Sequence, residues 1–99
     1  MPIKENYSME YIAFSILNYL LKRKGSAPVS KYHVMSRAMI PTQRADRLNT
    51  VFDLLLKKGF VSRIKTERTS FYKITEEGEK EYNRWIKYFL QFAQIFYQT

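Results

Sequence analysis

Apolar residues recur every three or four positions along most of the chain. In two short stretches they recur every second position. This pattern predicts four helices and a hairpin. In "YIAFSILNYLL" (residues 11–21), Ile12, Ile16, Tyr19 and Leu20 share one helical face, and Phe14, Leu17 and Leu21 widen it. Ser8 is a suitable N-cap, and Glu10 in the first turn suits the positive end of the helix dipole. "KRKGSAP" (residues 22–28) ends this helix with cations, then Gly25 and Pro28. A second, short helix is predicted from Ser30 to about Arg37, with Val29 and Val34 spaced as a hydrophobic staple. Pro41 disfavours helix at Ile40. Thr42 then caps a third helix running to about Lys58, whose buried stripe is Ala45, Leu48, Val51, Phe52 and Leu55. Gly59 stands where a left-handed C-terminal cap is wanted.

"VSRIK" (residues 61–65) and "SFYKI" (residues 70–74) read as strands joined by a polar turn. Alternation puts Tyr72 and Ile74 on one face, toward the core, and Phe71 and Lys73 on the other. Residues 27–29 are a candidate edge strand, with Pro28 against it. Thr75 caps the last helix, with Glu76 and Glu77 at its positive end. If it runs to Gln98 it is about 34 Å long.

A chain of 99 residues makes one domain with a small core, which a second copy would help to complete. Residues 1–7 read as a flexible arm, 8–75 as the compact unit and 76–99 as a projecting helix. Residues 11–21 contain Ser15 and Asn18 and are too short to span a bilayer, so neither a membrane span nor a targeting signal is expected. Cysteine is absent, which leaves no disulfide framework and no thiolate site and fits a cytoplasmic protein.

Charge changes the picture. Residues 22–73 hold 13 Lys and Arg against Asp46, Asp53 and Glu67, a net +10, while each flank carries −1. One sign gathered in the middle of the chain favours a polyanionic partner. Arg63, Lys65 and Arg68 lie at or beside the hairpin turn. Taken alone, such a hairpin is equally well a sheet edge protected by charge.

Two short helices across a tight turn, followed by a charged hairpin, form the plan of a winged helix-turn-helix. "LLLKKGFVSRIKTERTSFYKITEEGEKEY" (residues 54–82) resembles the stretch of winged-helix regulators where the recognition helix ends, the wing follows and the last helix begins. The final element of that pattern is Tyr72, Ile74, Thr75 and Gly78. The arrangement resembles the small basic winged-helix dimers of archaea and their viruses and, more loosely, PadR-like and MarR-like regulators. The implied fold is mainly α with a small β-hairpin and a long C-terminal dimerisation helix. The resemblance implies double-stranded DNA as partner, a cytoplasmic place near the nucleoid or in a viral host, and transcriptional regulation.

On this reading the third helix meets the major groove. Gln43, Arg44 and Arg47 are the first candidates for base contact, with Asn49 and Thr50 behind them. Asp46 and Asp53 on the same side would repel phosphate, and a solvated helix face with Arg47 paired to an aspartate is the alternative. Arg63, Lys65 and Arg68 of the wing reach phosphates or a neighbouring minor groove. Ser30, Lys31 and Tyr32 open the second helix and are candidates for a phosphate contact.

The last helix carries Tyr82, Trp85, Phe89, Phe92 and Phe96 on one stripe and Ile86, Leu90, Ala93 and Tyr97 beside it. One small domain cannot cover both. A second copy of the helix is the expected cover. A membrane surface is less suited, because Lys87 is the sole cation in that end of the helix. Enzyme chemistry is not expected. His33 is the single histidine, Ser26, Ser30 and Ser36 lack a base, and no Gly-rich phosphate loop exists. Glu76, Glu77, Glu79 and Glu81 suit the helix dipole and a Glu76–Lys80 pair better than a metal. No cofactor or small-molecule ligand is indicated. A DNA-coating architectural protein and a protein–protein adaptor remain as alternatives to the regulator.

Overall fold

The computed structural model describes residues 9–38 and 45–98. The expected arm at 1–7, the Ser8 and Thr42 caps, Pro41, and the candidates Gln43 and Arg44 lie outside the described residues, as does the side chain of Ala45. The elements are α1 (Met9–Lys22), β1 (Val29–Ser30), α2 (Lys31–Arg37), α3 (Ala45–Lys58), β2 (Val61–Lys65), β3 (Ser70–Ile74) and α4 (Glu76–Tyr97). The three strands form one antiparallel sheet in the order β1-β3-β2.

The expected stripes become the core. Ile12, Ile16, Leu17 and Leu20 of α1 meet Leu48, Val51, Phe52 and Leu55 of α3, with Val34 of α2 and Val29, Val61, Tyr72 and Ile74 of the sheet. The Val29–Val34 staple is buried at both ends, and the Ser30 hydroxyl accepts from the His33 N–H at 3.0 Å. The edge strand falls at Val29–Ser30 rather than 27–29, paired through Val29↔Tyr72 and Ser30↔Phe71. Pro28 has no N–H to contribute to a ladder, so pairing starts after it.

α3 ends as its glycine predicts. Gly59 has φ 80°. Its N–H bonds the Leu56 carbonyl at 3.0 Å and the Phe60 N–H bonds the Leu55 carbonyl at 3.0 Å, the two bonds of a Schellman cap. Thr75 then ties that cap to α4. Its hydroxyl donates to the Gly59 carbonyl at 2.6 Å and accepts from the Gly78 N–H at 3.0 Å, while its own N–H bonds the Phe60 carbonyl at 3.0 Å.

Only the start of α4 rests on the domain. The Tyr82 ring stacks on Phe14 with centroids 4.7 Å apart, and its hydroxyl donates to Asn18 Oδ1 at 2.7 Å. Lys24 of the α1 end pairs with Glu79 at 2.7 Å. The local ion pair of the first turn is Lys80–Glu77 at 4.0 Å, in place of the expected Glu76–Lys80. Beyond Tyr82 the helix leaves the core.

Candidate nucleic-acid interface

Strand register decides which way the wing faces. Val61 pairs with Ile74 and Arg63 with Tyr72, so Arg63 and Lys65 emerge on the face of the sheet that holds the core. Further along, that face has no core left to cover, and both side chains are exposed. On the opposite face Ile64 lies against Phe71. The turn is held by Thr66. Its N–H and hydroxyl both donate to the Thr69 carbonyl at 2.8 Å, and its oxygen accepts from the Thr69 N–H at 3.2 Å. Arg68 therefore sits on a closed turn and not on a loose tip. Arg63, Lys65 and Arg68 pair with no acid among the described residues.

A shallow cleft joins the wing to the helices. Lys31, Tyr32 and Met35 of α2, Leu48 and Asn49 of α3, and Thr69, Ser70 and Tyr72 of the hairpin line it. It brings together the candidates Lys31 and Tyr32 of α2 and Asn49 of α3, while the wing candidates Arg63, Lys65 and Arg68 are not among its lining residues. Asp46, Asn49, Thr50 and Asp53 are exposed on α3, and Arg47 is half-buried. The Thr50 hydroxyl donates back to the Asp46 carbonyl at 3.0 Å, so its proton is engaged by its own helix.

Lys31, a candidate for phosphate contact, lies along the cleft. Its ammonium donates to Asn49 Oδ1 at 2.6 Å and lies 5.5 Å from the Phe52 ring centroid and 5.9 Å from that of Tyr72. Contacts of this kind contribute on the order of 0.5–1 kcal/mol each at partly exposed sites. The Ser30 oxygen is committed to capping α2, and Tyr32 is 75% exposed. No signal in the sequence marks the Lys31–Asn49 contact, since 18 positions separate its residues.

The outer part of α4 is the other open surface. Trp85, Tyr88, Phe89, Leu90, Phe92, Ile95, Phe96 and Tyr97 are each between 54% and 80% exposed, and Ile86 and Ala93 are half-buried. Tyr88 and Ile95 join the residues expected there. Tyr82, also expected at an interface, is packed on α1. Near the base of this surface Glu81 accepts from the Arg84 guanidinium and from Trp85 Nε1–H at 2.9 Å. The Arg84 hydrogen bond, aided by Trp85 and opposed by partial burial, holds the Glu81 carboxyl below its ordinary range. The described residues include no group of three or more potential metal ligands, and no helix long and apolar enough to cross a membrane.

A helix pair followed by a two-stranded wing, with a short strand before the pair completing the sheet, packed on a first helix and followed by a long one, defines the winged helix-turn-helix fold. Solved structures with this fold include the PcaV transcriptional regulator from Streptomyces coelicolor, in complex with its natural ligand. That match has a TM-score of 0.68 at 19% identity and covers 94% of this chain. The chain spans 62% of the PcaV chain's length. AF1382 from Archaeoglobus fulgidus matches with a TM-score of 0.66 at 16% identity, over 86% of this chain and 90% of that one. SSV1 F-93 matches with a TM-score of 0.57 at 15% identity, over 84% and 91%. No family model and no curated protein matches the sequence.

Proposed function

We propose that this protein is a DNA-binding transcriptional regulator acting as a homodimer, without enzymatic activity of its own. The observation that carries the reading is the cleft lined by the start of α2, by Leu48 and Asn49 of α3 and by Thr69, Ser70 and Tyr72 of the hairpin, with the exposed wing cations on the same hairpin. A convex polyanion is the ligand such a surface suits. Net charge of +10 in residues 22–73 supplies the long-range attraction. Arg47, Asn49 and Thr50 face the major groove, with Gln43 and Arg44 just before them in sequence. Arg63, Lys65 and Arg68 take the flanking backbone or minor groove, and Ser30 and Tyr32 lie beside the backbone at the α2 end.

The exposed aromatic length of α4 supports the dimer. Single apolar residues on a surface are ordinary, but eight on one projecting helix form a patch that a monomer leaves wet. Pairing α4 with its copy covers the patch and presents two α3 helices at a fixed separation. PcaV being a transcriptional regulator supports the same role here.

Selection of bound sequences from a random DNA pool, at two salt concentrations, tests the reading. An enriched near-palindrome with half-sites about one helical turn apart, or a multiple of it, is expected. Tight binding at low salt with no enriched sequence would favour a protein that coats DNA. No binding at all would leave the basic face as a solvated surface and favour an adaptor.

A further inference from the structure

We propose that Lys31 sets the base preference of Asn49, turning it into a donor that selects guanine or thymine and rejects adenine. This rests on the DNA-binding reading above and adds a specificity rule to it. An ammonium group has three N–H donors and no acceptor. The Asn49 atom that faces it at 2.6 Å is therefore the carbonyl oxygen, because an amide nitrogen there would set donor against donor. The partner's chemistry fixes which way the amide points.

The consequence concerns the other end of the amide. Asparagine recognises adenine by using both ends at once, accepting from N6 and donating to N7. Here Oδ1 is engaged, and its remaining lone pair lies beside a positive charge that repels an incoming amino group. What projects from Asn49 is Nδ2 with its two donors. Guanine offers N7 and O6 as acceptors in the major groove, and thymine offers O4. Adenine offers N7 alone, with its N6 amino group opposing the second Nδ2 proton.

Lys31 is held where it does this. Its ammonium lies 5.5 Å and 5.9 Å from the Phe52 and Tyr72 ring centroids, and those two rings are themselves buried and packed 4.7 Å apart. The cation is thus anchored on the core from one side and on Asn49 from the other. Lys31 is a positioning residue in this scheme, and Asn49 is the one that touches the base.

Selection from a random DNA pool, run in parallel on the wild type, Lys31→Met, Lys31→Arg and Asn49→Ala, tests this. Met keeps an apolar stem on the two rings and removes the donors, whereas Arg keeps a donor-only cation. In the wild type, one position of each half-site should favour guanine or thymine, and Asn49→Ala should flatten that position alone. Lys31→Met should raise adenine there by about fivefold or more, since a freed bidentate amide is worth at least that. Lys31→Arg should keep the wild-type preference. Thermal melts establish that each variant is folded. A Lys31→Met motif identical to the wild type overturns the inference. So does an Asn49→Ala motif unchanged at every position, or a flattened position that favours adenine in the wild type. The last two results stand even if Lys31→Met does not fold, and all three leave the regulator reading in place. A wild-type pool with no enrichment overturns the regulator reading and the inference with it.

Discussion

Gly78 lies in the first turn of α4, hard against the backbone of Phe60. A Cβ built there would stand 2.0 Å from the Phe60 carbonyl oxygen and 2.9 Å from both the Phe60 carbonyl carbon and Ile74 Cγ1. Carbon atoms in contact sit at about 3.5–4.0 Å, so Gly78→Ala forces a displacement of roughly 1 Å or more. Phe60 is poorly placed to yield. Its N–H bonds the Leu55 carbonyl and its carbonyl accepts from Thr75, each at 3.0 Å. α4 must therefore lift, straining the Thr75 hydroxyl bond to the Gly59 carbonyl as well. Overpacking costs about 1–3 kcal/mol and a lost hydrogen bond about 1 kcal/mol, while alanine returns about 1 kcal/mol of helix propensity. The net expectation is a loss of about 2 kcal/mol, or roughly 8–16 °C in Tm for a chain of this size. Circular dichroism melts at one fixed protein concentration measure it, because the Tm of any protein that self-associates moves with concentration. Gly59→Ala is the comparison: its φ of 80° is strained for alanine, but the space around it is open. Its cost is confined to backbone strain of about 1–2 kcal/mol. A Gly78→Ala protein within about 0.5 kcal/mol of wild type would refute the packing argument for this glycine.

Arg47→Ala is expected to weaken binding to the selected DNA site by about 1–3 kcal/mol more than binding to random DNA, measured by competition titration. Equal losses on both would move Arg47 to a phosphate. Lys65→Ala combined with Arg68→Ala should weaken specific and non-specific binding alike. It should make the salt dependence shallower by about one unit of slope per lost contact, and an unchanged slope would return the hairpin to a charged sheet edge. The wild type should sediment as a dimer at micromolar concentration. Phe92→Asp, exposed in the free chain, should dissociate it with the fold intact, since a carboxylate buried in an apolar contact costs several kcal/mol. A wild-type monomer at tens of micromolar, with or without DNA, would remove the dimer. Tyr82→Phe should cost about 0.5–1.5 kcal/mol of stability in urea unfolding, through the lost bond to Asn18.

The sequence by itself determined the elements and their inward faces. Period, caps and breakers act over four or five residues, so Gly59 and Thr75 mark their boundaries wherever the rest of the chain lies. The strands at Val61–Lys65 and Ser70–Ile74 fall where alternation puts them, and Ile12, Ile16 and Leu20 of α1 and Leu48, Val51, Phe52 and Leu55 of α3 are buried as their spacing predicts, with Leu17 taking the core place expected of Tyr19. The charge of the middle segment was equally legible, being a property of composition. Which exposed residues meet was not legible, because that depends on how elements cross. Lys31 and Asn49 are 18 positions apart, and Asn18 and Tyr82 are 64 apart. Their contacts exist only once α2 lies on α3 and α4 on α1. The same crossing divided the aromatic stripe of α4. It put Tyr82 on α1 and left Trp85, Phe89, Phe92 and Phe96 in the open, although the spacing of all of them along the helix is alike. It also gave Gly78 its reason, for the missing side chain answers to the Phe60 carbonyl, which tertiary packing alone brings there.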